Sequence, residues 1–422
     1  MKINEINRNN SESLPSINIS VAWNLFWFGF AIYTISYSIP GVYISIKYSQ
    51  AVQIFGIILF VSSGAYLIFW SFENIYLKIV FLFYLLWSLV TIFRGFVFEY
   101  TFLKLIFFNA PFSIFLYFAP LIIVFKGILT NLKKLFTVII ILNLFFLIYI
   151  ILYRQLIFLG ISGFHRYPTV VTERLVHFLS LPAAYILLTF AYHKKRRVLF
   201  SLFILVFTFL IVTIRARRGL MFMTICLMVF SYIIFYYTNK GKILKGLISI
   251  ALLIFVVFYA YMTYSKNQSG TFSLISNRID EDSRGWVEDY FFNSMSTKDL
   301  ILGKGINGLY YCPGIDEAEG SITVFRSVIE TGYLQMVLKG GYISLVLYLL
   351  ITIPAIFIGL FSSKNVLTKS SAIWIFLYTI FLYPTYVNMF SLTYLIIWIS
   401  VGICYNKSIR EKSDEEILIF FQ

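Results

Sequence analysis

Three arginines within four positions, Arg215-Ala216-Arg217-Arg218, interrupt two apolar runs with almost no loop between them, and Gly219 follows. A charge at the bilayer centre costs roughly 2.5–3.5 kcal/mol on insertion scales and less near the interface, so the cluster needs a compensating role. Two readings stand. It is either a cytoplasmic topology anchor, or an anion clamp at the mouth of a cavity, helped by the N-terminal dipole of a helix beginning at Gly219. Arginine suits the second because its planar donor fork grips phosphate or carboxylate in two-toothed fashion.

Other groups that can do chemistry lie in three further stretches. The connector from Tyr153 to Arg174 carries Arg154, His165, Arg166, Glu173 and Arg174, broken by Gly160, Gly163 and Pro168. Arg166 there is a second phosphate contact, or part of a solvated turn. The segment Arg326-Ser327-Val328-Ile329-Glu330 places Arg326 and Glu330 four apart, on one face if helical. That pair reads as a surface ion pair, or as a candidate general base, Glu330, at the edge of hydrocarbon. The third stretch holds Ser283-Arg284-Gly285-Trp286 and Leu302-Gly303-Lys304-Gly305-Ile306-Asn307-Gly308. Its glycines follow no strand and precede no Gly-Lys-Ser/Thr, so tight turns explain them better than a nucleotide loop. The run Asp280-Glu281-Asp282 lacks the alternating spacing of a calcium loop and reads as a solvated face.

The elements that must position these groups are membrane helices. Of 422 residues, 60% are apolar and only 13% charged, with a mean hydropathy of +0.84. Soluble chains are about 45–50% apolar and about 25% charged, so a bilayer must solvate this one. Spans are expected near 18–40, 51–71, 75–94, 103–125, 135–153, 175–192, 198–214, 219–237, 243–264, 333–360, 371–387 and 388–405. That makes roughly a dozen, given about 20 apolar residues per crossing. Asn109, Pro111 and Pro120 are expected to kink the fourth, and the last two, around Pro384, can alternatively form a re-entrant hairpin. The fold class is all-α. Its parts are an N-terminal tail (1–17), a bundle of about nine helices (18–264), a large loop (265–329), about three more helices (330–405) and a C-terminal tail (406–422).

With both termini in the cytoplasm, the inner segments hold 18 of the 34 basic residues, 14 Lys and 4 Arg; the outer ones hold 10 Arg and 6 Lys. Short lysine-rich loops fit the positive-inside rule. The arginine excess opposite them needs a ligand or partner. The net charge of +15 is spread through these short loops and forms no basic domain, so no nucleic acid is expected as a partner. Cys226, Cys312 and Cys404 lie far apart and suggest neither a disulfide framework nor a metal site. The loop aromatics Trp286, Tyr290, Phe291, Phe292, Tyr310 and Tyr311 can build a small core or bind sugar rings.

Three stretches resemble the bacterial O-antigen or capsule repeat-unit polymerases of the Wzy type, relatives of the O-antigen ligases. They are Arg218-Gly219 opening a span, Arg284 and Trp286 followed by Leu302-Gly303-Lys304-Gly305, and Glu330-Thr331-Gly332-Tyr333-Leu334 followed by Gly340-Gly341. The related ligases carry His-Asn where this chain has Glu330-Thr331, which speaks against a ligase role and a histidine mechanism at that position. The resemblance implies a GT-C-like fold in the bacterial cytoplasmic membrane, with the large loop outside. It also implies an undecaprenyl-pyrophosphate-linked glycan as donor and acceptor, with membrane lipids, a chain-length regulator and a flippase as further partners. Glu330, Arg218 and Arg215 are then the catalytic candidates. Arg166, Arg217, Arg284, Arg326, Tyr333 and Trp286 are the substrate-binding ones, with no metal and no cofactor. The rival readings are a ligase and a transporter of lipid-linked oligosaccharide; the 65-residue loop 265–329 argues against a transporter, whose loops are short.

Overall fold

A computed structural model describes residues 18–39, 45–158, 166–215, 217–238, 283–313 and 324–421. The expected span 243–264, the acidic run 280–282 and the tail 1–17 lie outside the described residues. In chain order the helices are α1 (Ile19–Ser38), α2 (Ile46–Leu67), α3 (Ile75–Gly95), α4 (Tyr100–Phe108), α5 (Phe115–Phe118), α6 (Leu132–Leu152), α7 (Arg154–Phe158) and α8 (Arg166–Leu175). They continue as α9 (Ala183–Leu188), α10 (Lys195–Ile214), α11 (Arg218–Thr238), α12 (Ser283–Ser294), α13 (Thr297–Leu302), α14 (Gly332–Phe361), α15 (Val366–Phe381), α16 (Leu392–Tyr405), α17 (Lys407–Arg410) and α18 (Asp414–Ile419). Among the described residues the only sheet is an antiparallel pair, β1 (Tyr310–Tyr311) and β2 (Phe325–Arg326), with Tyr310 opposite Arg326.

Among the described residues eight helices are long and apolar enough to cross a membrane: α1, α2, α3, α6, the composite Thr169–Leu188, α10, α11 and α14. They are apolar all round. Phe55, Ile58, Phe83, Leu86, Leu210 and Phe357 face outward while Phe30, Phe81, Leu142 and Ile204 are buried. A water-facing helix would instead carry a polar stripe. The chain is therefore a predominantly helical, multi-pass membrane protein.

Of the other expected spans, 103–125 is no continuous helix. α4 stops at Phe108, then 3-10 turns at Ala110–Phe112 and Ala119–Val124 flank the single turn α5. Pro111 and Pro120 lack the N–H that an α-helical ladder would need there. The last two segments are shorter than drawn from sequence, α15 and α16, and residues 382–391 between them are largely irregular. That irregular stretch is held against the broken helix: Phe390 N–H donates to Ala110 O at 3.1 Å, and Tyr386 OH to Pro111 O at 2.7 Å.

Basic loops gather at one end of the bundle. Lys134 Nζ donates to Ser20 O at 2.6 Å, the Lys364 amide to Arg410 O at 2.9 Å, and Asn365 Nδ2 to Lys412 O at 3.1 Å. Phe136, His193 and Phe421 meet at this same end. Tyr37, Arg218 and Glu330, at the opposite ends of their helices, are brought together elsewhere.

A second, smaller core joins the loop to the bundle. Val287, Phe291, Met295, Tyr310, Cys312 and Ile329 pack on Leu334, Val337 and Leu338 of α14. The expected glycine turn is present: Lys304 N–H donates to Leu338 O and Gly305 N–H to Lys339 O, both at 2.8 Å. α14 breaks at Gly341, whose φ of 68° only glycine adopts cheaply, and a side chain there would strike the Ile301 carbonyl.

Candidate functional site

Four walls, with Tyr37 of α1 and the segment before α14, enclose a cavity of about 470 Å³ at the end of the bundle away from the basic loops. The first wall is one helical face. Val170, Glu173, Arg174, His177 and Phe178 recur at spacings of three and four, so α8 and the π-helical turn that continues it (Val176–Ser180) aim them all inward. The second wall is the first turn of α11, with Arg217, Arg218, Gly219 and Leu220. The third is the broken helix, with Asn109, Pro111 and Phe112, and the fourth is Pro384–Tyr386 and Met389. Val328 and Glu330 line it just before α14 begins.

The electrostatics favour an anion. Arg174, Arg217 and Arg218 stand against Glu173 and Glu330, and both α11 and α14 start here, adding the positive ends of two helix dipoles. Close packing brings the α11 start to the wall: a Cβ on Gly219 would sit 3.0 Å from the Pro384 carbonyl. Arg217 Nη2 forms an ion pair with Glu173 Oε1. The Arg174 guanidinium lies over the Tyr37 ring, 5.0 Å from its centre, and Tyr37 packs edge-on against Phe178 at 4.8 Å. Arg218 and Glu330 are exposed to the opening.

Of the residues singled out from sequence, Glu173, Arg174, Arg217, Arg218 and Glu330 therefore share one cavity. Arg215, Arg326, Tyr333 and Trp286 do not line it. Arg215, expected to grip the ligand, is only 6% exposed and donates to the Leu156 carbonyl at 3.2 Å and to that of Ile157. Burial draws the pKa of its guanidinium down, as for a charge withdrawn from water. It ties the end of α10 to α7 and does not line the cavity. Arg94, another member of the arginine excess, is spent likewise on the carbonyls of Leu302 (2.6 Å) and Gly303 (2.8 Å). Part of that excess is thus structural: a guanidinium can satisfy two carbonyls at once where chain turns leave them bare.

The expected helical face shared by Arg326 and Glu330 does not exist. Arg326 sits in β2, 9% exposed, and the helix begins only at Gly332. Tyr333 stacks on Tyr383, ring centres 6.4 Å apart, beside the cavity wall. Trp286 is exposed on α12 against Tyr290, whereas Phe291 and Tyr310 are fully buried, so the loop aromatics divide between surface and core. Arg166 and Arg284 are placed only as positions in α8 and α12. α12 does reach the site's edge, where Thr331 Oγ1 donates to Glu288 Oε1 at 2.6 Å.

Sequence reasoning missed His177, Tyr37 and Asn109 as site residues. Each lies inside an apolar run, where single polar residues are easily taken as buried and satisfied. The retrievable signal was the spacing Val170-Glu173-Arg174-His177. Among the described residues no trio of His, Cys, Asp or Glu is placed to hold a metal ion. No protein-family model, curated protein or solved structure matches the chain.

Proposed function

We propose that the protein polymerises undecaprenyl-pyrophosphate-linked oligosaccharide repeat units into O-antigen or capsular polysaccharide, with the cavity facing outward from the bacterial cytoplasmic membrane. The observation that carries this is the meeting of Arg174, Arg217 and Arg218 with Glu330 in one cavity within a membrane bundle. The lysine-rich loops at the opposite end suit a cytoplasmic face. A GT-C-like bundle of about twelve spans, with α15 and α16 counted among them, belongs to the same proposal.

In the proposed reaction a sugar hydroxyl of the acceptor attacks the anomeric carbon of the donor. The bond from that carbon to the pyrophosphate oxygen breaks, and the oxygen leaves with the electron pair. The transition state carries oxocarbenium character at the sugar and growing negative charge on phosphate. Arg174 and Arg218, with the α11 N-terminus, neutralise that charge, while Arg217 stays braced by Glu173. The Glu330 carboxylate, exposed at the mouth, takes the hydroxyl proton.

The test is the length of surface glycan in a strain lacking the gene and complemented with variants. Loss of the polymerase leaves single repeat units, and Arg218→Ala, present at normal membrane level, fails to restore the ladder. A normal ladder in the deletion strain refutes the proposal; loss of all surface glycan would indicate a transporter.

A further inference from the structure

We propose that His177 is a ligand-contacting residue of the cavity, its imidazole N–H donating a hydrogen bond to a phosphate oxygen of the bound pyrophosphate. The inference rests on reading the cavity as a pyrophosphate seat and adds a contact that the arginines do not explain.

His177 lines the cavity and is only 8% exposed. Its ring makes no hydrogen bond to another described residue, and its nitrogens open onto the cavity and are not sealed within the protein. Imidazole in its neutral form carries one donor and one acceptor nitrogen, so two valences await a partner from outside this chain. The position is imposed by the backbone. His177 follows Arg174 by three residues and Glu173 by four on the same face, one turn further along, roughly 5 Å deeper at 1.5 Å per residue. It stands within the π-helical turn Val176–Ser180, a distortion that recurs at functional sites because it re-aims one side chain at the expense of the regular ladder. The charged groups facing it are Glu173 and Arg174 on its own helix, Arg217 and Arg218 on α11, and Glu330 before α14. A multiply charged phosphate held by those arginines would present oxygens to a donor beneath them. An apolar ligand would leave the imidazole unpaired.

Binding of geranyl pyrophosphate to the full-length protein in lipid nanodiscs tests this. Wild type is expected to bind saturably, and Arg218→Ala to bind weakly. His177→Phe, which keeps ring volume without a donor, should lose roughly tenfold in affinity, the scale of a hydrogen bond to a charged group. His177→Gln, whose amide restores an N–H, should return to within about threefold of wild type. If His177→Phe does not fold, His177→Met carries the same expectation. Wild-type affinity in the donor-less variant, with Arg218→Ala still impaired, overturns the His177 contact alone. Absence of saturable wild-type binding overturns the pyrophosphate seat itself, and this contact with it.

Discussion

Arg217 Nη2 donates to Glu173 Oε1, joining the residue before α11 to the face of α8 across the cavity rim. The pair cancels one of three guanidinium charges in the wall and fixes the spacing of the other two. Both side chains are a quarter or more exposed, at 25% and 30%. Their value is therefore positional more than energetic.

Glu173→Gln should lower thermal stability by no more than about 1 kcal/mol, the scale of exposed ion pairs. It should weaken geranyl pyrophosphate binding more than that number suggests, because Arg217 is released. The exchange Glu173→Arg with Arg217→Glu should recover stability in detergent melting curves. Failure of the exchange to recover what either single change loses would show that the pair does not brace the rim.

Glu330→Gln removes the proposed proton acceptor while keeping size and hydrogen bonding. The expected result is normal binding of geranyl pyrophosphate and loss of the long glycan ladder in complemented cells. A near-normal ladder would take Glu330 out of the mechanism.

Arg215→Ala strips donors from the carbonyls of Leu156 and Ile157, and hydrogen bonds to charged groups contribute about 1.5–3 kcal/mol. Melting temperature should fall clearly. The fraction that remains folded should bind geranyl pyrophosphate like wild type. Selective loss of binding at unchanged stability would return Arg215 to the cavity.

His193 lies beyond the spans, hydrogen-bonded to Thr189 Oγ1 at 3.0 Å and edge-on to Phe136 at 4.3 Å. Burial first, and then Arg197, pushes its pKa down to about 3 from the ordinary 6.5. The folded state therefore resists a proton that the unfolded chain accepts. Its contribution is whole above about pH 6.5 and is lost as pH falls toward 3, by up to about 1.4 kcal/mol per pH unit. Melting curves at pH 7 and 5 should separate, and His193→Phe should narrow the gap. An unchanged gap would place the acid sensitivity elsewhere.

Cys312 is fully buried, so topology must be read from an introduced cysteine. Lys298→Cys, at an exposed position of α13, should react with a membrane-impermeant maleimide added outside intact cells. Reaction only after the cytoplasmic face is opened would invert the orientation and remove the proposed substrate's access.

Much of this was legible in the chain itself. Twenty-residue apolar runs specify spans because unsatisfied backbone groups are too costly in hydrocarbon for anything but helices. Pro111 and Pro120 marked a kink in the span expected at 103–125, where the chain in fact breaks into short turns, and the arginine cluster ahead of Gly219 called for a compensating role. What the chain could not say was which arginine faces what. Arg215 and Arg218 are three residues apart, yet one caps carbonyls and the other faces a cavity, because the turn between α10 and α11 points them to different sides. Nor did local spacing relate Glu173 to Arg217 or His177 to Glu330, since the fold brings them to one cavity from segments far apart in sequence. Periodicity records how a segment meets its solvent. Only the packing of one segment on another decides which charges share a space.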